Sequence, residues 1–512
     1  MTLDAIDLQV VTGALRAACE EMGAALVRSA HSANIKERRD CSTGLFDAAG
    51  EMVMQAEHIP VHLGAMPAAV AAILGEDHSA GRPWILNDPF AGGTHLPDIT
   101  VITPVLASRP GGELLGFAAN RAHHADVGGR VPGSMPANST TLAEEGVVIA
   151  PRVLDEAAIE ELVVQMRQPD QRRADLRAQL AANRIGARRL AELAERLGPE
   201  ALREATAAVL DYAERRTRAC IAALPDGPRE AHDVLEGVDG DIELRLVATV
   251  QGDRLVLDFA GSAPQHRGNL NCPLAVTRSA AYFAVRVLTD PDVPPSAGAY
   301  RPIEVRAPEG SLLNARREAG AGGTGRAPAV AGGNVETSSR VADLVLAAFG
   351  RALGQGTMNN ITLGSEGAAD PTAFTYYETL GGGQGACHDA AGPSAVHVAM
   401  SNTLNTPVEA LELEFPLRVV RHAIRCGSGG AGRHRGGDGL VRELEALAPM
   451  TYALITERRR HAPPGADGGA DGAPGRNLLN GDELPAKASG ELRTGDRLAL
   501  ETPGGGGHGA PG

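Results

Sequence analysis

Apolar positions along the first 150 residues change their spacing in step with the elements they predict. Val11, Leu15, Cys19, Met22 and Leu26 recur every three or four residues between 4 and 30, while Glu20, Glu21 and Arg28 fall off that face. That is the pattern of an amphipathic helix. After the charged run Asn34-Ile-Lys-Glu-Arg-Arg-Asp-Cys-Ser42, residues 43–54 read as two short strands around an Asp47-Ala-Ala-Gly50 turn. The alanine-rich stretch 65–75 reads as a packing helix, and Pro83-Trp-Ile-Leu-Asn-Asp-Pro89 as a short buried strand ending in a turn. Residues 99–106 and 114–120 read as strands, joined by Ala107-Ser-Arg-Pro-Gly-Gly112, whose chemistry predicts a hairpin loop.

Beyond residue 155 the helical period returns. Leu176, Leu180, Leu190, Leu193 and Leu197 mark one helix; Gly198-Pro199-Glu200 stops it and starts another, with proline in its first turn. Leu202, Val209, Tyr212 and Cys220 continue the second, so a helical hairpin or small bundle is expected, its leucines forming core. From about 230 strands take over: 242–250 and 254–259 flank the hairpin signal Gln251-Gly-Asp253, and a helix is predicted near 274–288. Gly332-Gly-Asn-Val-Glu-Thr337 opens a further helix whose amino end is either capped or open to an anion, the cap being favoured. The whole reads as a multidomain α+β chain. An α+β unit over 1–154 is followed by a helical segment over 155–225, an α+β region with glycine-rich loops over 226–450, and a β/loop region over 451–512.

Composition narrows the function. The 512 residues are 43% hydrophobic and 22% charged, as in globular proteins, and the net charge of −15 argues against nucleic acid or an anionic membrane as a main partner. No stretch reaches the ~18 apolar residues of a membrane span. Met1-Thr-Leu-Asp-Ala-Ile-Asp7 lacks the positive start of a secretory signal, so a cytoplasmic location is expected. The six cysteines show no Cys-x-x-Cys spacing, which removes common structural zinc motifs and gives no disulfide framework. Lysine occurs only at 36 and 487, neither within Gly-x-x-x-x-Gly-Lys-Ser/Thr, so there is no P-loop. Gly427-Ser-Gly-Gly-Ala-Gly432 formally matches Gly-x-Gly-x-x-Gly, but the following Arg433-His-Arg-Gly-Gly-Asp-Gly439 cannot open the helix that would hold a pyrophosphate. A dinucleotide site is rejected. Thr502-Pro-Gly-Gly-Gly-Gly-His508 reads as flexible or as a loop in backbone contact, and both alternatives stand.

The candidate chemistry lies at the open end of the 99–106/114–120 hairpin. Folded about position 110, it sets residues near 98 opposite 122 and 123, with Cβ atoms of opposed positions roughly 5 Å apart. Two clusters then converge, Gly92-Gly-Thr-His-Leu-Pro-Asp98 and His123-His-Ala-Asp-Val-Gly-Gly129. They bring together His95, Asp98, His123, His124 and Asp126. Neutral imidazoles with a carboxylate suit zinc, manganese or iron, leaving positions for water or substrate. The competing reading is two sets of ordinary hydrogen-bonded histidines. His58 and His62 lie four apart, but Pro60 between them argues against a helix; from a loop, Glu57, His58 and His62 line the same pocket. Lys36, Arg38 and Arg39 read as a solvated face, with anchoring or anion binding as the alternative.

Several long motifs occur in order: Asn34–Asp40, Gln55–Gly64, Leu86–Thr100, Asn120–Gly129, Ala331–Thr337, Asn402–Ala410, Gly427–Gly432 and Glu501–Gly507. In these the chain resembles the B subunits of hydantoinase/5-oxoprolinase enzymes, which are related to the α subunits of acetone carboxylases. The resemblance implies ATP-dependent chemistry on cyclic amides such as 5-oxoproline, hydantoins or N-methylhydantoins. An A-type partner binds ATP and magnesium and phosphorylates the substrate; the B-type chain completes the reaction near a divalent metal. Carried over position by position, His95, Asp98 and His123 are the metal ligands. Asp126 is a general base or an orienting partner, His124 and Glu57 are further catalytic candidates, and His62 and Arg39 are candidates for substrate binding. A hetero-oligomer with an A-type partner is expected, which fits the missing P-loop. The stretch Gly320-Ala-Gly-Gly-Thr-Gly325 is longer than the family pattern and is expected to form a loop. The α-type chain of a ketone carboxylase and a non-enzymatic scaffold are the alternatives.

Overall fold

The alternating segments of the first 154 residues build one six-stranded sheet. In chain order its strands are β1 (Cys41–Asp47), β2 (Met52–Glu57), β3 (Trp84–Leu86), β4 (Asp98–Leu106), β5 (Leu114–His123) and β6 (Arg152–Val153). They lie side by side as β2-β1-β5-β4-β3-β6, every neighbouring pair antiparallel. The computed structural model describes residues 4–57, 59–107, 112–318, 326–365 and 373–511, the Glu57 side chain excepted. Residues 108–111 of the turn predicted at 107–112 and the whole glycine stretch 320–325 therefore lie outside the described residues, as does His58.

Register decides what this sheet can do. Asp98 faces His123 and Thr100 faces Arg121 across β4/β5, while Ser42 faces Arg121 and Cys41 faces Ala122 across β1/β5. Side chains alternate along a strand, so Asp98, Thr100, Arg121, His123 and Ser42 share one face. Cys41, Ile99 and Ala122 share the other. The second face is packed by helices Ala5–Ser29 and Pro169–Leu197, through Leu26, Ala178 and Ala182 against Cys41 and Ala122. Buried amides join helix and sheet: Gln179 Nε2 donates to the Ile99 carbonyl at 2.9 Å, and Asn183 Nδ2 to that of Val101 at 2.9 Å.

The three long helices start and stop where the sequence predicts, whereas the packing helix expected over 65–75 is shorter, Ala65–Ala71. The Asp4 carboxylate accepts from the amides of Ile6 and Asp7, capping Ala5–Ser29. Pro169 and Pro199 open the helices Pro169–Leu197 and Pro199–Ala222, separated by Gly198 at φ 89°. Downstream, Gly227–Gly237, Gly240–Gln251 and Arg254–Asp258 form an antiparallel run, and Ile303–Arg306 joins it in parallel. Helices Leu274–Leu288 and Ser338–Ala348 share the large core with these strands. The helix runs on from a π-helical turn, Gly333–Thr337, with no cap from Gly332 itself; its amino end is capped from a distance, the Glu145 carboxylate accepting from the amides of Val330 (3.0 Å) and Ala331 (3.0 Å). Among the described residues no helix is long and apolar enough to cross a membrane.

Two further sheets follow, one of four strands that includes Asn360–Gly364 and Thr375–Glu378, the other of five. Between them the glycine-rich segments settle the question left open by the sequence. Residues 503–507 are threaded among four other stretches by backbone hydrogen bonds. Gly383 donates to the Pro503 carbonyl (3.0 Å), Gly430 to Gly505 (2.9 Å), Gly505 to Gly437 (2.9 Å), Ala386 to Gly506 (2.9 Å) and Gly507 to Ala470 (2.8 Å). A Cβ placed on Gly505 would overlap the Gln384 carbonyl oxygen, and one on Gly506 that of Pro464. This is a backbone-contact core in which side chains do not fit.

Candidate metal centre

The sheet face holding Asp98 and His123 becomes a site because the chain before β4 folds back over it. Asp88 caps the 3-10 turn Pro89–Ala91 by accepting from the Phe90 amide at 3.0 Å. Gly92 then turns the chain at φ +91°, with its Cα against the backbone of Ala68, where a side chain would clash. Arg121, fully buried on the site face, pins this loop: Nη2 donates to the Gly92 carbonyl at 2.8 Å and Nε to Thr100 Oγ1 at 2.7 Å. His95 thus arrives over the end of the β4/β5 pair.

Three ligand-type atoms meet there. His95 Nε2 lies 3.2 Å from His123 Nδ1, and Asp98 Oδ1 lies 3.3 Å from each. All three residues are buried. Nitrogen and oxygen ligands held about 2.0–2.1 Å from a tetrahedral ion stand roughly 3.3 Å apart, so the triangle has the right size for one. The electrostatics agree. Burial alone raises the Asp98 carboxyl, but His95, His123 and His62 outweigh it and hold Asp98 well below the usual carboxylate range. Burial lowers the His123 pKa, with Asp40 and Asp98 pulling against it. An ionised carboxylate beside a neutral imidazole is the protonation state a metal requires, and the residues present fit a divalent ion. Asp40, His62 and Asp98 form a second group of potential ligand atoms, sharing Asp98 with the first.

The surroundings orient these groups. Thr94 Oγ1 donates to Asp98 Oδ2 at 2.5 Å, and His62 Nε2 stands 3.6 Å from the same oxygen. His62 Nδ1 contacts Ser42 Oγ at 2.9 Å. The predicted obstacle at Pro60 is real: Pro60–His62 is a 3-10 turn, and His62 enters the site from it. Asp40 Oδ2 is 3.9 Å from His123 Nδ1. The Tyr377 ring lies flat against His123, with centroids 4.6 Å apart and 10° between planes.

Of the residues singled out from sequence, the structure brings His62, His95, Asp98 and His123 together. His124 points through the opposite face of the sheet, as the residue after His123 must; its Nε2 meets Gln179 Oε1 at 2.9 Å and burial lowers it to about 4. Asp126 organises its own loop, accepting from Gly128 N (2.6 Å), Gly133 N (2.7 Å) and Arg167 Nη1 (3.1 Å). Arg39 is exposed at φ 57° and borders the helix Ala5–Ser29 beside Glu20 and Arg28; its neighbour Arg38 is the buried one. The Glu57 side chain lies outside the described residues. Sequence reasoning missed Asp40, Ser42, Thr94 and Tyr377. Asp40 was within reach, since pairing the strand after it with 114–123 sets it beside His123. Tyr377 carries no such signal, because it comes from a different sheet.

The chain is 39% identical to 5-oxoprolinase 1 of Arabidopsis thaliana, over 99% of its own length and 42% of that protein. It is 30% identical to a protein of Pseudomonas sp. strain NS671 named as the putative B subunit of a D-/L-hydantoinase, covering 99% of this chain and 90% of that one. It therefore spans about two fifths of the eukaryotic 5-oxoprolinases it matches. Among solved structures, the ATP-dependent caprolactamase from Pseudomonas jessenii superposes with a TM-score of 0.89 at 27% identity, over 100% of this chain and 92% of that one. Residues 4–511 match the family described as hydantoinase B/oxoprolinase, and the chain belongs to that family.

Proposed function

We propose that this chain is the metal-binding half of an ATP-dependent cyclic amidohydrolase that opens 5-oxoproline- or hydantoin-type rings together with an A-type, ATP-binding partner. The observation that carries the reading is the buried triangle of His95 Nε2, His123 Nδ1 and Asp98 Oδ1. The names of its relatives, a 5-oxoprolinase and the B subunit of a hydantoinase, and of its structural neighbour, a caprolactamase, supply the substrate class. The want of a P-loop in the sequence leaves phosphoryl chemistry, with its ATP and magnesium, to the partner.

A divalent zinc, manganese or iron ion held by His95, Asp98 and His123 would polarise the ring carbonyl or acidify a water. The chain's own residues do the rest. Thr94 locks one oxygen of Asp98 and leaves the other to face the two imidazoles. Ser42 fixes His62 through Nδ1, so that Nε2, which has no hydrogen-bond partner among the described residues, is presented toward Asp98 and the site. Burial of every member keeps bulk water from competing for the reacting carbonyl.

The test is ATP turnover coupled to opening of 5-oxoproline or hydantoin, with the purified A-type partner added and omitted. Metal content is read on the same preparations for wild type and His123→Ala. Turnover that needs both chains and is lost with the metal is the expected result. Bound metal with neither ring opened, while a ketone and bicarbonate are consumed, would replace the hydrolase by a carboxylase. Loss of metal in His95→Ala with activity unchanged would leave only a scaffold.

A further inference from the structure

A metal-binding histidine usually donates its second ring nitrogen to a carboxylate or carbonyl, and that bond fixes the plane of the ring. His123 has no such bond: among the described residues its Nε2 finds no hydrogen-bond partner, although the side chain is buried. Nor does the sheet fix the ring, since rotation about the imidazole's terminal torsion is soft. What meets the face of the ring is Tyr377, nearly parallel at 4.6 Å.

Tyr377 is itself held on every side. It sits on the strand Thr375–Glu378, paired with Thr362 on the neighbouring strand. Its hydroxyl donates to Asn360 Oδ1 at 2.7 Å, and Asn360 Nδ2 donates in turn to Glu336 Oε1 (2.8 Å) and the Ile455 carbonyl (2.9 Å). Arg38 Nη1 donates to the Tyr377 carbonyl at 3.1 Å, Nη2 donates to Thr379 Oγ1 at 2.8 Å, and Cζ lies 4.8 Å from the Tyr377 ring centroid. Arg38 lies two residues past the helical turn Ala33–Lys36 and two before Asp40, so this clamp also anchors the segment that brings Asp40 to His123.

We infer that Tyr377 is a positioning residue for the metal centre: its clamped ring sets the plane of His123 and so aims Nδ1 at the point shared with His95 and Asp98. The inference rests on the metal reading proposed above. It gives the sheet that carries the strand Thr375–Glu378 a part in the centre, through ring contact with a candidate ligand and not through a ligand of its own.

The experiment titrates the metal-free full chain with Co2+, following the visible ligand-field band and the dissociation constant, for wild type, Tyr377→Phe and Tyr377→Leu. Phenylalanine keeps the stacked ring and should keep both the affinity, within about threefold, and the band. Leucine should weaken binding by roughly 10-fold or more, the range for loss of a group that orients a ligand, and should shift the band. Thermal unfolding of the metal-free variants is measured alongside. A purely structural tyrosine would lower the unfolding temperature of Tyr377→Leu and leave affinity and band untouched, and that result overturns the inference. Wild-type protein that takes up no Co2+ at this site overturns the metal reading with it, so the two failures are told apart.

Discussion

The candidate metal centre and the glycine core are built by opposite means. At the centre, strand register brings long polar side chains to one point, and the backbone serves to place them: Asp98 opposite His123, with His95 and His62 folded in from the flanking loops. In the glycine core around residues 503–507 the backbone is the contact surface, and five stretches of chain approach so closely that a methyl group has no room. Both regions are buried and both are rich in hydrogen-bonding groups. The difference lies in what a substitution does. At the centre, removing atoms removes the chemistry and spares the packing; in the glycine core, adding atoms breaks the packing where there is no chemistry to lose.

The largest effect should therefore come from the smallest change. Gly505→Ala puts a methyl group on the Gln384 carbonyl oxygen, backbone against backbone, where neither side has a rotamer to escape into. Overpacking of this kind without relief should cost roughly 3 kcal/mol or more, read as a loss of soluble yield or as an early denaturant midpoint. An alanine variant unfolding together with wild type would mean that these stretches part easily, and the contrast with the metal centre would fall.

Asp98→Asn tests the other half. The amide keeps the shape and a neutral acceptor but removes the charge that His95 and His123 stabilise. Metal content should collapse, and coupled turnover should fall by more than the roughly 100-fold that loss of a ligand's neighbour can cost. The denaturant midpoint should move little. If the variant instead fails to fold, the centre is also a packing element and the two regions are less different than they look.

The same contrast explains what was legible in the sequence. The meeting of Asp98 and His123 was legible because a hairpin with turn chemistry at 107–112 fixes its own register, which places Asp98 opposite His123. The choice of His95, Asp98 and His123 among the five clustered residues came from the family resemblance, since His95 reaches the pair from a loop that register does not describe. The same proximity places His124 and Asp126 in the expected cluster, but adjacent residues of an extended chain point to opposite faces. His124 therefore meets Gln179 on the helix Pro169–Leu197, and Asp126, beyond the strand's end, binds the amides of its own loop. Tyr377 was beyond reach, since contacts between separate sheets leave no local periodicity. Glycine runs were the hardest to read, because a residue without a side chain suits a free tail and a close-packed backbone equally well.

Acid and base should act more strongly on one region than on the other. The glycine core is held mostly by peptide groups, which do not titrate, with Asp438 and Asp471 accepting from the amides of Gly429 and Gly465 at its edge, whereas Glu336 is buried near the centre. Burial, reinforced by the charge of Glu457, pushes Glu336 up to about 8, against about 4.3 for an unperturbed glutamate. Between those values the folded protein keeps a proton that the unfolded chain has released, so this group's contribution to stability falls as pH rises from about 4.3 to about 8. Glu336→Gln mimics the protonated form. It should flatten that limb and raise stability at pH 8 by on the order of 1–3 kcal/mol, measured by urea unfolding from pH 5 to 8. A variant that tracks wild type at every pH would show that Glu336 is ionised in the fold.

The smallest effect isolates what makes the glycine core intolerant. Gly427 opens the same Gly427–Gly432 motif that supplies Gly430 to the core, yet nothing lies within 4 Å of where its Cβ would stand. Its one demand is a backbone φ of +87°, in the turn after the strand Leu417–Arg425. An alanine there meets only the intrinsic strain of a left-handed L-residue, about 1–2 kcal/mol. Part of that is offset because alanine leaves the unfolded chain less freedom than glycine does. Gly427→Ala should thus cost about 1 kcal/mol, clearly less than Gly505→Ala, in paired denaturant titrations. Equal losses at the two positions would trace the intolerance to glycine's torsional freedom. The expected gap between them traces it to the closeness of the neighbouring backbones, the property that sets this core apart from the metal centre.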